Sequence, residues 1–94
     1  MSNEKVIEAF LEHKKAHTPT REIGVYYNIY TYKGQTLNST GEVLINYDTK
    51  IAYWKNDTVY LNTKKYSVTT TKIQGKIRFL AHQKNIKVIE YIGE

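Results

Sequence analysis

The fold is decided by the stretch EVLINYDTKIAYWKNDTVYLN, residues 42–62. It contains three short runs rich in β-branched and aromatic residues, at Glu42–Tyr47, Lys50–Lys55 and Thr58–Asn62. The pairs Asp48-Thr49 and Asn56-Asp57 separate these runs, and both are typical turn formers. Turns this close together force neighbouring strands to pair antiparallel. The stretch therefore predicts the centre of an antiparallel β-meander.

The residues before this stretch predict one or two more strands. Val25–Tyr32 is dense in β-formers, and Lys33-Gly34 is typical of a tight turn. A weak polar strand or loop follows at Gln35–Ser39, and Thr40-Gly41 is the next turn signal. The meander should therefore have four to five strands.

A helix is predicted at the N-terminus. Ser2 or Asn3 can cap its start, and Thr18-Pro19 should end it because proline disfavours helical geometry in the preceding residue. Its apolar residues recur at helical spacing: Val6, Ile7, Phe10 and Leu11.

A second helix and a last strand follow the meander. Thr71-Lys72-Ile73-Gln74 fits a capping box, although Gly75 should weaken the helix by about 1 kcal/mol. The helix should run to about Lys84, and Ile86–Ile92 has the composition of a strand. The apolar face of the helix comprises Ile73, Ile77, Leu80 and Ala81.

Together these elements predict an α+β fold: an N-terminal helix, an antiparallel β-meander of four to five strands, a second helix and a final strand. Both helices should pack on one face of the sheet. A chain of 94 residues is long enough for one core. We expect a single domain over 1–94, with 1–20 as helix and linker and 21–94 as the meander, helix and last strand.

The net charge of +5 lies entirely in the last third of the chain. Bases and acids balance within 1–22 and within 23–62, whereas residues 63–94 carry seven bases against Glu90 and Glu94. A positive field on one segment favours polyanion binding. The predicted phosphate contacts are Lys64, Lys65, Lys72, Lys76 and Arg78.

Phe79 shares a helical sector with Lys72 and Lys76 and could stack on a base. Alternatively, Phe79 packs beneath the first helix and the lysines are only solvated.

Tyrosine is unusually abundant, with nine residues against two Phe and one Trp. Aromatic rings interleaved with lysines are typical of surfaces that bind single-stranded nucleic acid. Cross-strand tyrosine pairs also stabilise small sheets, and tyrosine is enriched in protein interfaces. All three interpretations stay open for the candidate stacking or interface residues Tyr26, Tyr30, Tyr32, Tyr53, Trp54 and Tyr60.

The composition argues against catalysis and metal binding. There is no cysteine, and the pair His13 and His17 has helical spacing but lacks the glutamate of zinc-protease motifs. No nucleophile, base and orienting group can be assembled. We therefore expect no enzyme activity, cofactor, metal or small-molecule substrate. Without a signal peptide or a long apolar run, we also expect no membrane partner and a cytoplasmic protein.

Two stretches resemble a known pattern: Asn46-Tyr47-Asp48-Thr49-Lys50-Ile51-Ala52 and Tyr66-Ser67-Val68-Thr69-Thr70-Thr71-Lys72. The pattern is similar to a small domain of unknown function in bacteriophage, conjugative-plasmid and archaeal mobile-element proteins, over residues 42–82. That family often has a histidine after the threonines, where this chain has Ile73-Gln74. The resemblance implies a viral or mobile-element origin.

The resulting prediction is a non-catalytic nucleic-acid-binding accessory protein of a virus or mobile element. The alternative is a protein-interaction module or homodimer, such as an inhibitor of a host factor, that uses a tyrosine-rich sheet face.

Overall fold

The computed structural model describes the backbone of residues 2–25 and 30–93 and the side chains of 2–19 and 36–93. Within these ranges the chain forms two helices and eight strands. In chain order they are α1 (Asn3–Leu11), β1 (Lys15–His17), β2 (Thr20–Val25), β3 (Tyr30–Gln35), β4 (Leu37–Thr40), β5 (Val43–Asn46), β6 (Thr49–Lys55), β7 (Thr58–Asn62), α2 (Val68–Gln83) and β8 (Lys87–Tyr91).

Six strands form one mixed sheet in the order β1-β4-β5-β6-β7-β8. Neighbours pair antiparallel except β7 and β8, which are parallel because α2 carries the chain back to the same end of the sheet. Strands β2 and β3 form a separate antiparallel pair. The predicted α+β class and the order of helix, meander, helix and final strand are confirmed.

The two faces of the six-stranded sheet differ. Side chains alternate between faces, so Leu44, Ala52 and Val59 point to the core with α1 and α2. Full burial of a side chain as large as Leu44 or Val59 contributes about 1.5–3 kcal/mol relative to exposure. The opposite face carries no helix among the described residues, and we call it the open face. One row of paired residues crosses it: Val43, Tyr53, Tyr60 and Ile89.

The first helix is shorter than predicted. Ser2 caps it, since its Oγ accepts a hydrogen bond from the Lys5 amide at 3.3 Å. It ends at Leu11 instead of continuing to Thr18-Pro19, and β1 occupies part of the predicted linker. The helix stops here because His13 has a φ of 59°, in the left-handed region, which an α-helix cannot continue through. The Phe10 carbonyl at this end accepts from the His13 amide at 3.0 Å and also from the indole Nε1 of Trp54 at 2.8 Å.

The predicted single strand over Val25–Tyr32 is wrong. Val25 lies on β2 and is paired with Tyr30 on β3, so the two residues belong to different strands. The predicted turn at Lys33-Gly34 lies inside β3, opposite Glu22 and Arg21. Cross-strand pairing with Thr20–Val25 therefore outweighs the local turn signal.

The second helix begins four residues earlier than the capping box predicts. Ser67 is the N-cap, and its Oγ accepts from the Thr70 amide at 3.2 Å. Thr71 lies within the helix, where its hydroxyl donates to the Ser67 carbonyl at 2.9 Å. Gln74 is buried, and its Nε2 donates to the carbonyls of Asn62 and Lys64 at 2.7 and 3.0 Å. The Gln74 side chain therefore connects α2 to β7 and does not cap the helix, which Ser67 does.

Candidate nucleic-acid interface

The site is organised by Asn62, which is buried at the end of β7. Its Nδ2 donates to the Lys50 carbonyl at 3.2 Å and to the Tyr66 hydroxyl at 2.9 Å. Its Oδ1 accepts from the backbone amides of Lys64 at 3.0 Å and Gly93 at 2.9 Å. One side chain thus joins β6, the segment before α2 and the C-terminal residues. These four bonds hold Tyr66 and the backbone of Lys64 in place.

A cluster of tyrosines lies beside Asn62 on the open face. Tyr53 and Tyr60 are directly opposite on β6 and β7, and their rings stack with centroids 5.1 Å apart and planes 6° apart. The Tyr91 ring lies 5.8 Å from that of Tyr53 at a tilt of 59°. Burial raises the pKa of the Tyr91 hydroxyl, and charge on Tyr53 and Tyr66 raises it further. These rings provide a compact aromatic surface.

Two lysines already lie over aromatic rings of this cluster. The Nζ of Lys50 is 4.7 Å from the centroid of the Tyr53 ring. The Nζ of Lys64 is 5.5 Å from that of the Tyr66 ring. Cation–π contacts at exposed positions contribute only about 0.5–1 kcal/mol, so a phosphate can compete for either ammonium group.

Two neighbouring depressions connect these groups to the start of α2. The first has a volume of about 410 Å³, and its lining includes Lys50, Tyr53, Tyr91 and Tyr66. The second, of about 330 Å³, is lined by Lys65, Tyr66, Ser67, Val68, Thr71 and Lys72. Tyr66 lines both, so the two depressions are adjacent, and we call them together the tyrosine–lysine groove. Asp48 is the one carboxylate among the described lining residues.

The structure brings together three of the six predicted nucleic-acid contacts. Lys65 and Lys72 line the groove, and Lys64 contacts Tyr66 in it. None of these three lysines makes an ion pair with a described residue.

The other three predicted contacts lie further along α2. Lys76 pairs with Glu4 of α1 at 3.7 Å, and Arg78 pairs with Glu90 of β8. Phe79 is 57% exposed, so it does not pack beneath the first helix. Its ring is 6.0 Å from the Lys76 ammonium group, as the shared helical sector suggests.

The candidate aromatic residues divide between the two faces. Tyr53 and Tyr60 lie on the open face, whereas Trp54 points to the helices and packs its ring 4.1 Å from that of His13. Tyr26 lies outside the described residues, as do the side chains of Tyr30 and Tyr32.

Sequence reasoning missed Asn62, Tyr66 and Tyr91 as parts of the site. Asn62 and Tyr91 are far apart in the chain and become neighbours through the parallel register of β7 and β8. A local pattern could have indicated Tyr66, because Lys64-Lys65-Tyr66 places two cations next to an aromatic ring. No local signal marks Asn62.

The histidine pair does not form a metal site in the described part of the chain. His13 follows α1 with a φ of 59°, and His17 lies on β1, where its Nδ1 is 2.8 Å from the Thr18 carbonyl. Among residues with described positions, no three His, Cys, Asp or Glu side chains cluster closely enough to hold a metal ion. Neither described helix has the length and apolarity needed to cross a membrane.

No family model, curated protein or solved structure matches this chain. The resemblance to the mobile-element domain therefore stays a prediction.

Proposed function

We propose that this protein is a non-catalytic nucleic-acid-binding accessory protein, of viral or mobile-element origin as the sequence resemblance implies. The observation that supports it is the tyrosine–lysine groove, in which Lys50, Lys64, Lys65 and Lys72 flank Tyr53, Tyr66 and Tyr91. Lysines beside aromatic rings at the surface combine phosphate neutralisation with base stacking, and Tyr66 is exposed while Tyr53 and Tyr91 are partly exposed.

In this proposal the lysines neutralise phosphates along the groove, and unpaired bases stack on the tyrosine rings. The ring faces can be reached only by bases outside a duplex, so the preferred ligand is a single strand. Lys65 and Lys72 lie at the N-terminus of α2, where the helix dipole adds attraction for a phosphate.

The test is fluorescence anisotropy with labelled single- and double-stranded DNA and RNA at two salt concentrations. A triple variant, Lys64→Gln with Lys65→Gln and Lys72→Gln, removes the groove charges. The matched control combines Lys76→Gln, Lys84→Gln and Lys87→Gln, which leaves the same net charge. On single strands, each lost phosphate contact should reduce the slope of log K against log salt by about 0.7.

We expect the groove variant to lose most of its affinity and about two units of salt slope, for three contacts at the value above. The control variant should lose far less. Equal losses in both variants, or binding that survives in the groove variant, contradict the proposal. A preference for duplex contradicts the stacking role of the tyrosines.

A second candidate function is protein recognition through the open face. This function is favoured by a row of apolar and aromatic side chains on the face that carries no described helix: Val43, Tyr53, Tyr60 and Ile89. If a partner or a second copy docks flat on this row, Val43→Lys should abolish that association. Nucleic-acid binding by the groove should persist in the same variant.

A further inference from the structure

We propose that β8 pairs antiparallel with β8 of a second copy, about a two-fold axis at Ile89. The two six-stranded sheets would then join into one. This inference rests on the sheet edge and is independent of nucleic-acid binding.

Among the described residues, no strand pairs with the outer edge of β8. β8 ends the sheet, contains five residues without proline, and pairs with β7 without a register shift. The opposite edge, β1, has only three residues. An edge strand presents unpaired backbone N–H and C=O groups that can pair with another chain. Ile89 is 37% exposed and Ile92 is 82% exposed, so the edge also carries uncovered apolar surface.

The backbone register determines which groups point outward. The Tyr91 carbonyl accepts from the Thr63 amide at 2.7 Å and therefore points toward β7. In a parallel pair, alternate residues bond the neighbour, so Lys87, Ile89 and Tyr91 face β7. Val88 and Glu90 then present their N–H and C=O groups to the outside. With the axis at Ile89, Val88 lies opposite Glu90 of the second copy, and Glu90 lies opposite Val88 of the second copy. Each of these two symmetry-related pairs can form backbone hydrogen bonds between the two β8 strands.

The side chains are complementary in the same register. Ile89 meets Ile89 of the second copy, and Lys87 lies opposite the Tyr91 ring, so no like charges are directly opposed. Continued by one residue, the register places Ile92 opposite Ile86. Moving the axis to Glu90 would oppose two glutamates, and moving it to Val88 would place Ile92 opposite Lys84. Of these three positions, only the Ile89 axis covers Ile92 with an apolar residue without opposing two glutamates.

A groove beside β8 fits this arrangement. It has a volume of about 300 Å³, lies between α2 and β8, and is lined by Arg78, His82, Ile86, Val88 and Glu90. The proposed register brings Ile92 of the second copy to its mouth, next to the apolar side chains of Ile86 and Val88, and brings Glu90 of the second copy near Arg78, which already pairs with Glu90 of its own chain. The chain thus supplies both the groove and the strand that fills it, which identifies the occupant as a second copy.

The experiment measures solution mass by light scattering without nucleic acid, at the highest soluble concentration. The wild type should have twice the chain mass of 11.0 kDa. Ile89→Lys and Ile89→Glu should each be monomeric, because two like charges would meet at the axis. An equimolar mixture of the two variants should restore the dimer, since a lysine then meets a glutamate.

Val43→Lys is the matched control, because Val43 lies in the same row of the open face but on β5, three strands away from the edge. It should remain dimeric, and circular dichroism should show that all variants fold. A monomeric wild type, a mixture that stays monomeric, or a monomeric Val43→Lys would overturn the proposal; the last result would indicate docking through the open face. Nucleic-acid affinity of the groove lysines is measured separately, so the two proposals can fail independently.

Discussion

Asn62 is the residue on which the candidate site depends most. Its four hydrogen bonds join three parts of the chain that are distant in sequence. A buried amide whose donors and acceptors are all used specifies geometry, because any displacement leaves polar groups unpaired. Gly93 shows how tight the packing is, since a Cβ there would lie within 3 Å of the Asn62 side-chain oxygen, at 2.9 Å.

Asn62→Ala should lower the free energy of unfolding by about 2–3 kcal/mol, because it leaves partly buried amides and a carbonyl without partners. Urea denaturation measures this change. Asn38→Ala, at a half-exposed asparagine on β4, is the control and should cost no more than about 0.5 kcal/mol. Equal losses of unfolding free energy in the two variants would contradict the central role of Asn62.

Tyr91 should make stability depend on alkaline pH. Burial, with charge on Tyr53 and Tyr66, raises its pKa above 10.0 in the folded protein. The unfolded chain then releases this proton first, so the contribution of Tyr91 is complete below pH 10.0 and is lost as the pH rises through the higher pKa of the folded state. Thermal melting at a series of alkaline pH values should show a shallower decline for Tyr91→Phe. An unchanged decline would contradict this prediction.

At the scale of elements, the start of α2 is set by tertiary contacts as well as by local signals. Ser67→Ala removes the cap and should destabilise the protein by about 1 kcal/mol. Thr71→Ala, at the position that the sequence pattern marks as the cap, should have little effect because Thr71 is exposed within the helix. Urea midpoints of the two variants measure the difference, and the reverse order would place the cap at Thr71.

Gly75 offers a stabilising change in the same helix. It lies in the interior of α2, and a Cβ at this position would meet no atom within 4 Å. Gly75→Ala should therefore raise the free energy of unfolding by about 1 kcal/mol, since alanine has the higher helix propensity. A lower thermal midpoint would show that the position has a contact that the structure lacks.

The elements themselves were largely predictable. Alternation and turn residues over 42–62 and the apolar spacing of both helices are local signals, and the structure confirms the elements they predict. The predicted helix boundaries were less accurate, and distant residues contact both helix ends: the Trp54 indole bonds the Phe10 carbonyl at the end of α1, and Gln74 bonds the Asn62 carbonyl of β7 instead of capping α2. Such contacts have no signature in neighbouring residues.

At the scale of the whole molecule, charge placement decides where a polyanion can bind. Lys76 and Arg78 are paired with carboxylates, whereas the lysines of the groove face one carboxylate among the described lining residues, Asp48.

Asp48→Asn should therefore tighten nucleic-acid binding about two- to fivefold, with the larger gain at low salt, because the local repulsion is screened within a Debye length. Anisotropy titrations at two salt concentrations measure the change. Asp57→Asn removes the same charge at the other end of β6 and is the matched control. A similar gain in both variants would indicate a net-charge effect without a local site.

The sequence by itself determined the α+β class, the order of elements and the surplus of positive charge after Thr63, because each depends on neighbouring residues or on composition. The tertiary structure decided which cations are paired, which rings share a surface and which of the described strands form the edges of the sheet. The parallel return through α2 places Tyr91 beside Asn62, and ion pairs with Glu4 and Glu90 remove Lys76 and Arg78 from the free charge. These relations join residues that are distant along the chain, so they exist only after the sheet has formed.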